Sequence, residues 1–236
     1  MKSLIRNIKN LLKSSYVGFL VKLIRNMKFA TSTANSFSQF GEDKTLEKYI
    51  NDGKGFYLDV GCGEPVRGSN TYLFYKKGFS GLLVDPLSRN IKLCRVLRRK
   101  DRSVQAFVGN KNDEVIFHEL DPYEYSTSDE SEALKLVKEK KARLVSKERI
   151  RTISLNDLHL TSDWQQPTIL SIDCEYYDFE VLQSINLNTN PFSIICIEDF
   201  EELSMQNNSK IRPYLISLGY TKVDQCGPSS IYKRST

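Results

Sequence analysis

Phe56-Tyr57-Leu58-Asp59-Val60-Gly61-Cys62-Gly63-Glu64 decides the reading of this 236-residue chain. A short apolar run enters a Gly-x-Gly turn, and about 20 residues further on a second run, Leu82-Leu83-Val84-Asp85, stops on an acid. A strand leading into a glycine turn, beside a parallel strand tipped by a carboxylate, builds a site for an adenosine-bearing cofactor. Gly61 and Gly63 let the backbone turn tightly and come close to a ligand. Asp85 can accept hydrogen bonds from both ribose hydroxyls, each worth roughly 1.5–3 kcal/mol when charge-assisted. A dinucleotide would want a third glycine at position 66, where a helix seats its pyrophosphate. Val66 stands there. The pattern therefore favours a cofactor without a pyrophosphate, and S-adenosylmethionine fits.

Outward from this stretch, short apolar runs alternate with helical patterns. Strands are expected near 56–60, 81–85, 104–108, 168–173, 193–198, 220–224 and 229–233, with helices between the first five. Such alternation implies a mainly parallel sheet covered on both faces. The last two strands are joined by Gln225-Cys226-Gly227-Pro228 and read as an antiparallel C-terminal hairpin at the edge. This α/β layout, seven strands with helices on both faces, is that of the Rossmann-like class I methyltransferases.

With 40% apolar and 27% charged residues the chain reads as globular, and its length suits one large α/β domain plus an appendage. Five cysteines, without a Cys-x-x-Cys pair, lie mostly in apolar runs and read as reduced core thiols of a cytoplasmic protein. The two histidines leave little material for a zinc site or a Ser-His-Asp triad. His118 falls in the alternating run Val115 to Leu120 and reads as a hairpin residue rather than a base; His159 reads as a loop residue.

The net charge of +5 is unevenly placed. Before Glu42 there is no acid, and of the 34 Lys and Arg seven lie in the first 28 residues, which leaves 27 against 29 acidic residues for the rest. In this segment Leu4, Ile5, Ile8, Leu11, Leu12, Phe19, Leu20, Leu23, Ile24 and Met27 recur at helical spacing with the cations largely between them. Residues 1–35 are thus a basic amphipathic arm and linker, and 36–236 the catalytic domain. The longest charge-free run of the arm, Ser14 to Val21, is far short of the ~20 apolar residues of a membrane span. Three readings of residues 1–28 stand open: an anionic membrane surface, where each cation contributes about 1 kcal/mol; packing on the domain or in a homodimer; and organelle targeting.

Two further basic stretches, Arg89 to Arg102 and Ser131 to Arg151, read as helical. The first reads as the wet face of an ordinary helix; the second interrupts the sheet and is expected to form a lid or acceptor-binding element. No aromatic-basic repeat of single-strand nucleic-acid binders is present, so nucleic acid is not an expected partner.

The second half of the site is acidic. Ile169-Leu170-Ser171-Ile172-Asp173-Cys174-Glu175 ends in two acids, and Ile194-Ile195-Cys196-Ile197-Glu198-Asp199 repeats the design. Ligands bind beyond the carboxyl ends of parallel strands, so Asp59, Asp85, Asp173, Glu175, Glu198 and Asp199 are expected on one rim. Their crowding would raise some pKa values towards neutrality and favour a cationic sulfonium.

Ser38-Gln39-Phe40-Gly41-Glu42-Asp43, then Asp59-Val60-Gly61, Ser69-Asn70-Thr71, Asp85-Pro86 and Ile172-Asp173-Cys174-Glu175 with Glu198, together resemble the FkbM-type S-adenosylmethionine-dependent methyltransferases over roughly residues 36–233. The resemblance implies an O-methyltransferase acting on a hydroxyl of a sugar in a glycan, of a lipid-linked precursor, or of a soluble natural product. The expected cofactor contacts are Gln39, Asp59, Gly61, Gly63, Asn70, Thr71, Asp85, Asn110 and Asp173. Asp173 is expected as the base or as part of the methyl-transfer centre, with Glu175 and Glu198 orienting the acceptor or a divalent ion. Magnesium or manganese would suit these oxygen ligands, and the sequence does not require either. Many relatives have glycine after Asp-x-Glu, where Tyr176 stands here. That ring could wall a sugar face, or block the acceptor and leave a non-catalytic cofactor-binding scaffold.

Overall fold

The computed structural model describes residues 16–50, 54–110, 113–158, 167–203 and 208–235. Its centre is β1 (Phe56–Val60), which pairs in parallel with β2 (Ser80–Asp85) on one side and β6 (Pro167–Ile172) on the other. With β3 (Arg102–Gln105), β7 (Ile194–Glu198), β8 (Tyr220–Cys226) and β9 (Ser229–Arg234) they form one sheet in the order β3-β2-β1-β6-β7-β9-β8. The chain builds outward from β1 in one direction and resumes on its other flank with β6, so the strand order reverses at β1/β6. Such reversals open a crevice at the carboxyl edge.

The sheet is buried on both sides, which is why its central strands read as continuous apolar runs. Leu58, Val60, Leu82, Val84, Leu170, Ile172, Ile195 and Ile197 pack into one core, while Tyr57, Leu83, Ile169, Ile194, Cys196 and Ile231 pack into the other. The alternate residues of each strand thus face opposite helical layers. The helices are α1 (Tyr16–Ala30), α2 (Glu42–Glu47), α3 (Tyr72–Lys76), α4 (Ser88–Leu97), α5 (Glu130–Lys138), α6 (Asp178–Gln183), α7 (Phe200–Leu203) and α8 (Ile211–Ser217). The seven-stranded, mainly parallel sheet and its antiparallel hairpin are as the sequence implies: β9 runs antiparallel to both β7 and β8.

The region between β3 and β6 departs from expectation. Only Glu130–Lys138 of the basic stretch 131–151 is helical; Lys140 takes φ 58, and Arg143–Arg151 is a strand, β5. It pairs antiparallel with β4 (Glu114–Asp121), from Glu114 opposite Arg151 to Asp121 opposite Arg143. His118 lies in this hairpin, as its alternation implied, with backbone bonds to Thr127. His159 falls outside the described residues. The third sheet strand is also earlier and shorter than expected, and Val108 forms only an isolated bridge with Ile153.

Candidate functional site

Val60, Val84 and Ile172 stand in register across β1, β2 and β6, so Gly61, Asp85 and Asp173 emerge together at one edge of the sheet. The Gly61 and Cys62 amides both donate to the Val84 carbonyl, at 2.9 and 3.1 Å, and the Asp173 amide donates to the Val60 carbonyl at 3.0 Å. Gly61 has φ +75, and a Cβ there would lie 1.8 Å from the Asp173 carbonyl oxygen. The need for glycine at this position comes from the neighbouring strand, where the sequence reading had placed it at the ligand. Gly63, with φ +57, has nothing nearer a Cβ than the Tyr123 hydroxyl at 3.8 Å, and it faces open space.

Asp85 closes on this turn. Its Oδ2 accepts from the Gly63 amide at 3.0 Å and from Asn90 Nδ2 at 3.1 Å; its Oδ1 accepts from the Leu87 amide at 2.7 Å. Burial pushes its carboxyl up to about 6 against the pull of these donors. A carboxylate offers about four acceptor positions, and three are taken. One remains for a ribose hydroxyl, with Asn90 Oδ1, buried and without a partner, beside it as a second acceptor. Asn90 lines the cavity and was not foreseen; its place on α4, five residues after the strand-ending acid, is the only signal the sequence offers.

A cavity of about 620 Å³ runs from this clamp, inside the range of about 300–1,000 Å³ typical of small-molecule sites. One part is an apolar bay formed by Leu87, Phe107 and Phe117, with the Phe107 ring meeting Phe117 and Tyr177 edge-on at 5.5 and 5.3 Å. Its wall also includes Gln39, Asp173 and Glu175. The loop carrying Gln39 is shaped by two acids: Asp43 accepts from the Phe37 amide at 2.7 Å and from the hydroxyls of Ser36 and Ser38, and Glu42 accepts from the Phe40 amide at 2.8 Å. The Gln-x-Gly-Glu-Asp motif is thus a folded bracket that holds Gln39 at the cavity.

Three other expected contacts lie beneath it. Asp59 accepts from the Thr71 hydroxyl at 2.5 Å, Asn70 donates to Ser171 at 3.2 Å, and Arg98, wholly buried, donates to Thr71, Ser69, Tyr57, Asp101 and the Pro65 carbonyl. Asp59, Asn70 and Thr71 are tied into this network and do not line the cavity. The wet-face reading of Arg89 to Arg102 fails at Arg98. Asn110 is exposed, its carbonyl taken by the Thr152 hydroxyl, and it too is absent from the cavity wall.

The acid rim is smaller than expected. Oxygens of Asp173, Glu175 and Glu198 lie within 4.8 Å of one another, close enough to hold a divalent cation together. Burial and the neighbouring carboxylates drive all three upward, Asp173 to about 7. Asp178 joins them electrostatically, raised by burial and by Asp173, while its Oδ1 accepts from the Cys174 amide at 2.8 Å. Asp199 is elsewhere: its Oδ1 caps α7 through the Glu202 amide at 3.0 Å and its Oδ2 takes the Ser209 hydroxyl.

A model of the methyltransferase FkbM domain matches residues 59–222, more than half of the chain. This protein belongs to that family. The match begins on Asp59 and spans the glycine turn, Asp85 and the acid rim. No curated protein matches the chain. Among solved structures, the crystal structure of methyltransferase FkbM from Methylobacillus flagellatus is similar at 14% identity and a TM-score of 0.48. The alignment covers 94% of this chain and 60% of that one, so the chain spans less than two thirds of its length.

In this member of the FkbM family the residue after Asp-x-Glu is left-handed. Glu175 has φ 50 and Tyr176 φ 73, a conformation that suits glycine and strains a side chain. The Tyr176 ring stacks on Phe200 at 4.8 Å and does not line the cavity. Residues 131–151, expected as a lid or acceptor-binding element, are absent from the cavity wall; residues 122–128, between β4 and α5, line it instead, with Tyr123, Tyr125 and Thr127 among them. The family fold is also joined by α1. Its Asn26, fully buried, donates to Glu64 at 2.8 Å, Lys22 pairs with Glu64 at 3.2 Å, and Arg25 bonds the same carboxylate. Phe29 of α1 contributes to the cavity wall.

Proposed function

We propose that this methyltransferase uses S-adenosylmethionine to methylate a sugar hydroxyl of a glycan or lipid-linked glycan precursor. One observation carries the reading: a single cavity joins the Gly63–Asp85 clamp and its apolar bay to the carboxylates of Asp173 and Glu175. The bay suits an adenine ring, Asp85 and Asn90 suit ribose hydroxyls, and the acids suit a sulfonium charge. When bound, the cofactor supplies a methyl group on positively charged sulfur. The chain's own task is then to align an acceptor oxygen at about 3–3.5 Å and to exclude water.

Asp173, raised towards neutrality, is matched to taking the proton of an acceptor hydroxyl, an effect worth about 10²–10⁴-fold. Glu175, on the cavity wall, orients the acceptor through its other hydroxyls with Glu198 grouped beside it off the wall, and the exposed ring of Tyr125 offers a face on which a sugar can stack. The scaffold alternative loses its main support, because the Tyr176 ring stands outside the cavity. Transfer of labelled methyl from S-adenosylmethionine to a glycan extract, abolished by Asp173→Asn, is the expected result. Saturable cofactor binding with no label in any acceptor fraction would overturn the acceptor assignment.

A further inference from the structure

The helix α1 is apolar on two sides. Its inward side joins polar anchors, with Asn26, Lys22 and Arg25 gathered on Glu64 and Lys22 Nζ 3.9 Å above the centre of the Tyr123 ring, to Phe29 and Ala30, which pack on the cluster of Phe37, Val66, Tyr72 and Leu73. Its outward side is apolar. Val17, Val21, Ile24 and Met27, at spacings of four, three and three residues, are 46%, 59%, 52% and 51% exposed and form one continuous stripe along the helix. Inward polar contacts fix the helix to the body, so the stripe is not the face by which it packs there.

Charge decides what covers the stripe. Through residue 41 the chain holds seven cations and no acid; on α1 itself Lys22 and Arg25 are paired with Glu64, and Lys28 is exposed between the apolar side chains. A second copy laid on this face would bring the same basic segment against it, with no acid in that segment to answer it. An anionic lipid surface answers both features, taking the apolar side chains at the acyl boundary and the cations at the headgroups. Among the described residues no helix is long and apolar enough to cross a membrane.

We infer that the outward stripe of α1 is a docking surface for an anionic lipid bilayer. The consequence for the site is positional. Glu64, to which α1 is tied, directly follows Gly63 of the cofactor turn, and Phe29 of the same helix lines the cavity. A bilayer seated on α1 therefore fixes the cavity at the membrane surface. This inference is independent of the reaction proposed above, since it rests on no catalytic group.

The test is co-sedimentation of the full chain with vesicles of phosphatidylcholine alone and of phosphatidylcholine mixed with phosphatidylglycerol. Binding is expected to the mixed vesicles, weakening with added salt, and falling about tenfold or more in Val21→Glu/Ile24→Glu at an unchanged melting temperature. No binding by the parent chain, or equal binding by the double variant, overturns the inference. So does light scattering that shows a dimer made monomeric by the same variant with no vesicle binding, because a second copy would then cover the stripe. Should the double variant not fold, Ile24→Trp reports directly: its emission shifts to the blue with mixed vesicles, and an unchanged spectrum contradicts the docking.

Discussion

The amide of Gly63 donates to the carboxylate of Asp85 across 3.0 Å, joining the turn after β1 to the tip of β2. Two features separated by 22 residues in sequence are therefore one unit, and each limits what the other can do. The turn gives Asp85 a donor that offsets its burial. Asp85 in return holds the turn open at the cavity edge.

The two turn glycines should differ in cost. Gly61→Ala drives a Cβ to 1.8 Å from the Asp173 carbonyl oxygen, while Gly63→Ala meets nothing within 3.5 Å and adds only left-handed strain. Urea denaturation should show Gly63→Ala weakened by about 1–2 kcal/mol, and Gly61→Ala by distinctly more or unable to fold. Equal losses would show that the strand contact at Gly61 is not what demands glycine.

Arg98 should behave as a core residue. Its removal takes the counter-charge from Asp101, which keeps the Tyr57 hydroxyl and the Gly81 amide, and the guanidinium donor from Tyr57 and Thr71, and Arg98→Met should cost about 3–5 kcal/mol in chemical denaturation. Arg99→Ala, next in sequence but exposed, should stay within about 0.5 kcal/mol of the parent.

How far such roles can be read from sequence depends on what a residue's neighbours in space share with its neighbours in chain. The central strands were legible because two-sided burial writes itself as Ile-Leu-Ser-Ile or Ile-Ile-Cys-Ile. The carboxyl edge was legible for the same reason, since Asp85 and Asp173 sit where those runs stop. β5 was not: Arg143–Arg151 is mostly exposed on both sides, so no apolar alternation marks it. Arg98 was hidden because its partners come from β1, the loop before α3 and the turn after α4, and only the fold assembles them. Asp199 shows the converse, an acid at a strand end whose task is to cap the next helix.

Stability without cofactor should fall as pH rises through the weakly acidic range. Asp59 and Asp85 are pushed by burial from 3.8 up to about 6. The folded state therefore binds more protons than the unfolded chain between those values. Their contribution is complete below 3.8 and is lost as pH climbs through about 6. Glu64 and Glu202, held below the ordinary range with cationic partners, act oppositely and lose their contribution as pH falls. The melting temperature should accordingly be higher at about pH 5 than at about pH 8, with the fall blunted in Asp85→Asn. A steady rise over that interval would contradict the assignment.

Tyr176 offers a test of backbone strain separate from side-chain loss. Both Tyr176→Gly and Tyr176→Ala abolish the stack on Phe200, yet only glycine relieves φ 73. The glycine variant should be the more stable of the two by about 1 kcal/mol. Both should bind S-adenosylmethionine as the parent does, because the ring is outside the cavity.

The most direct measurement is a calorimetric titration of the full chain with S-adenosylmethionine, repeated on Asp85→Asn. Loss of one charge-assisted ribose contact, worth roughly 1.5–3 kcal/mol, predicts saturable binding to the parent and an affinity about 10- to 100-fold weaker in the variant, both proteins folded by melting temperature. Absence of binding to the parent, or equal affinity in the two, would contradict adenosine capture between the glycine turn and the acid of β2.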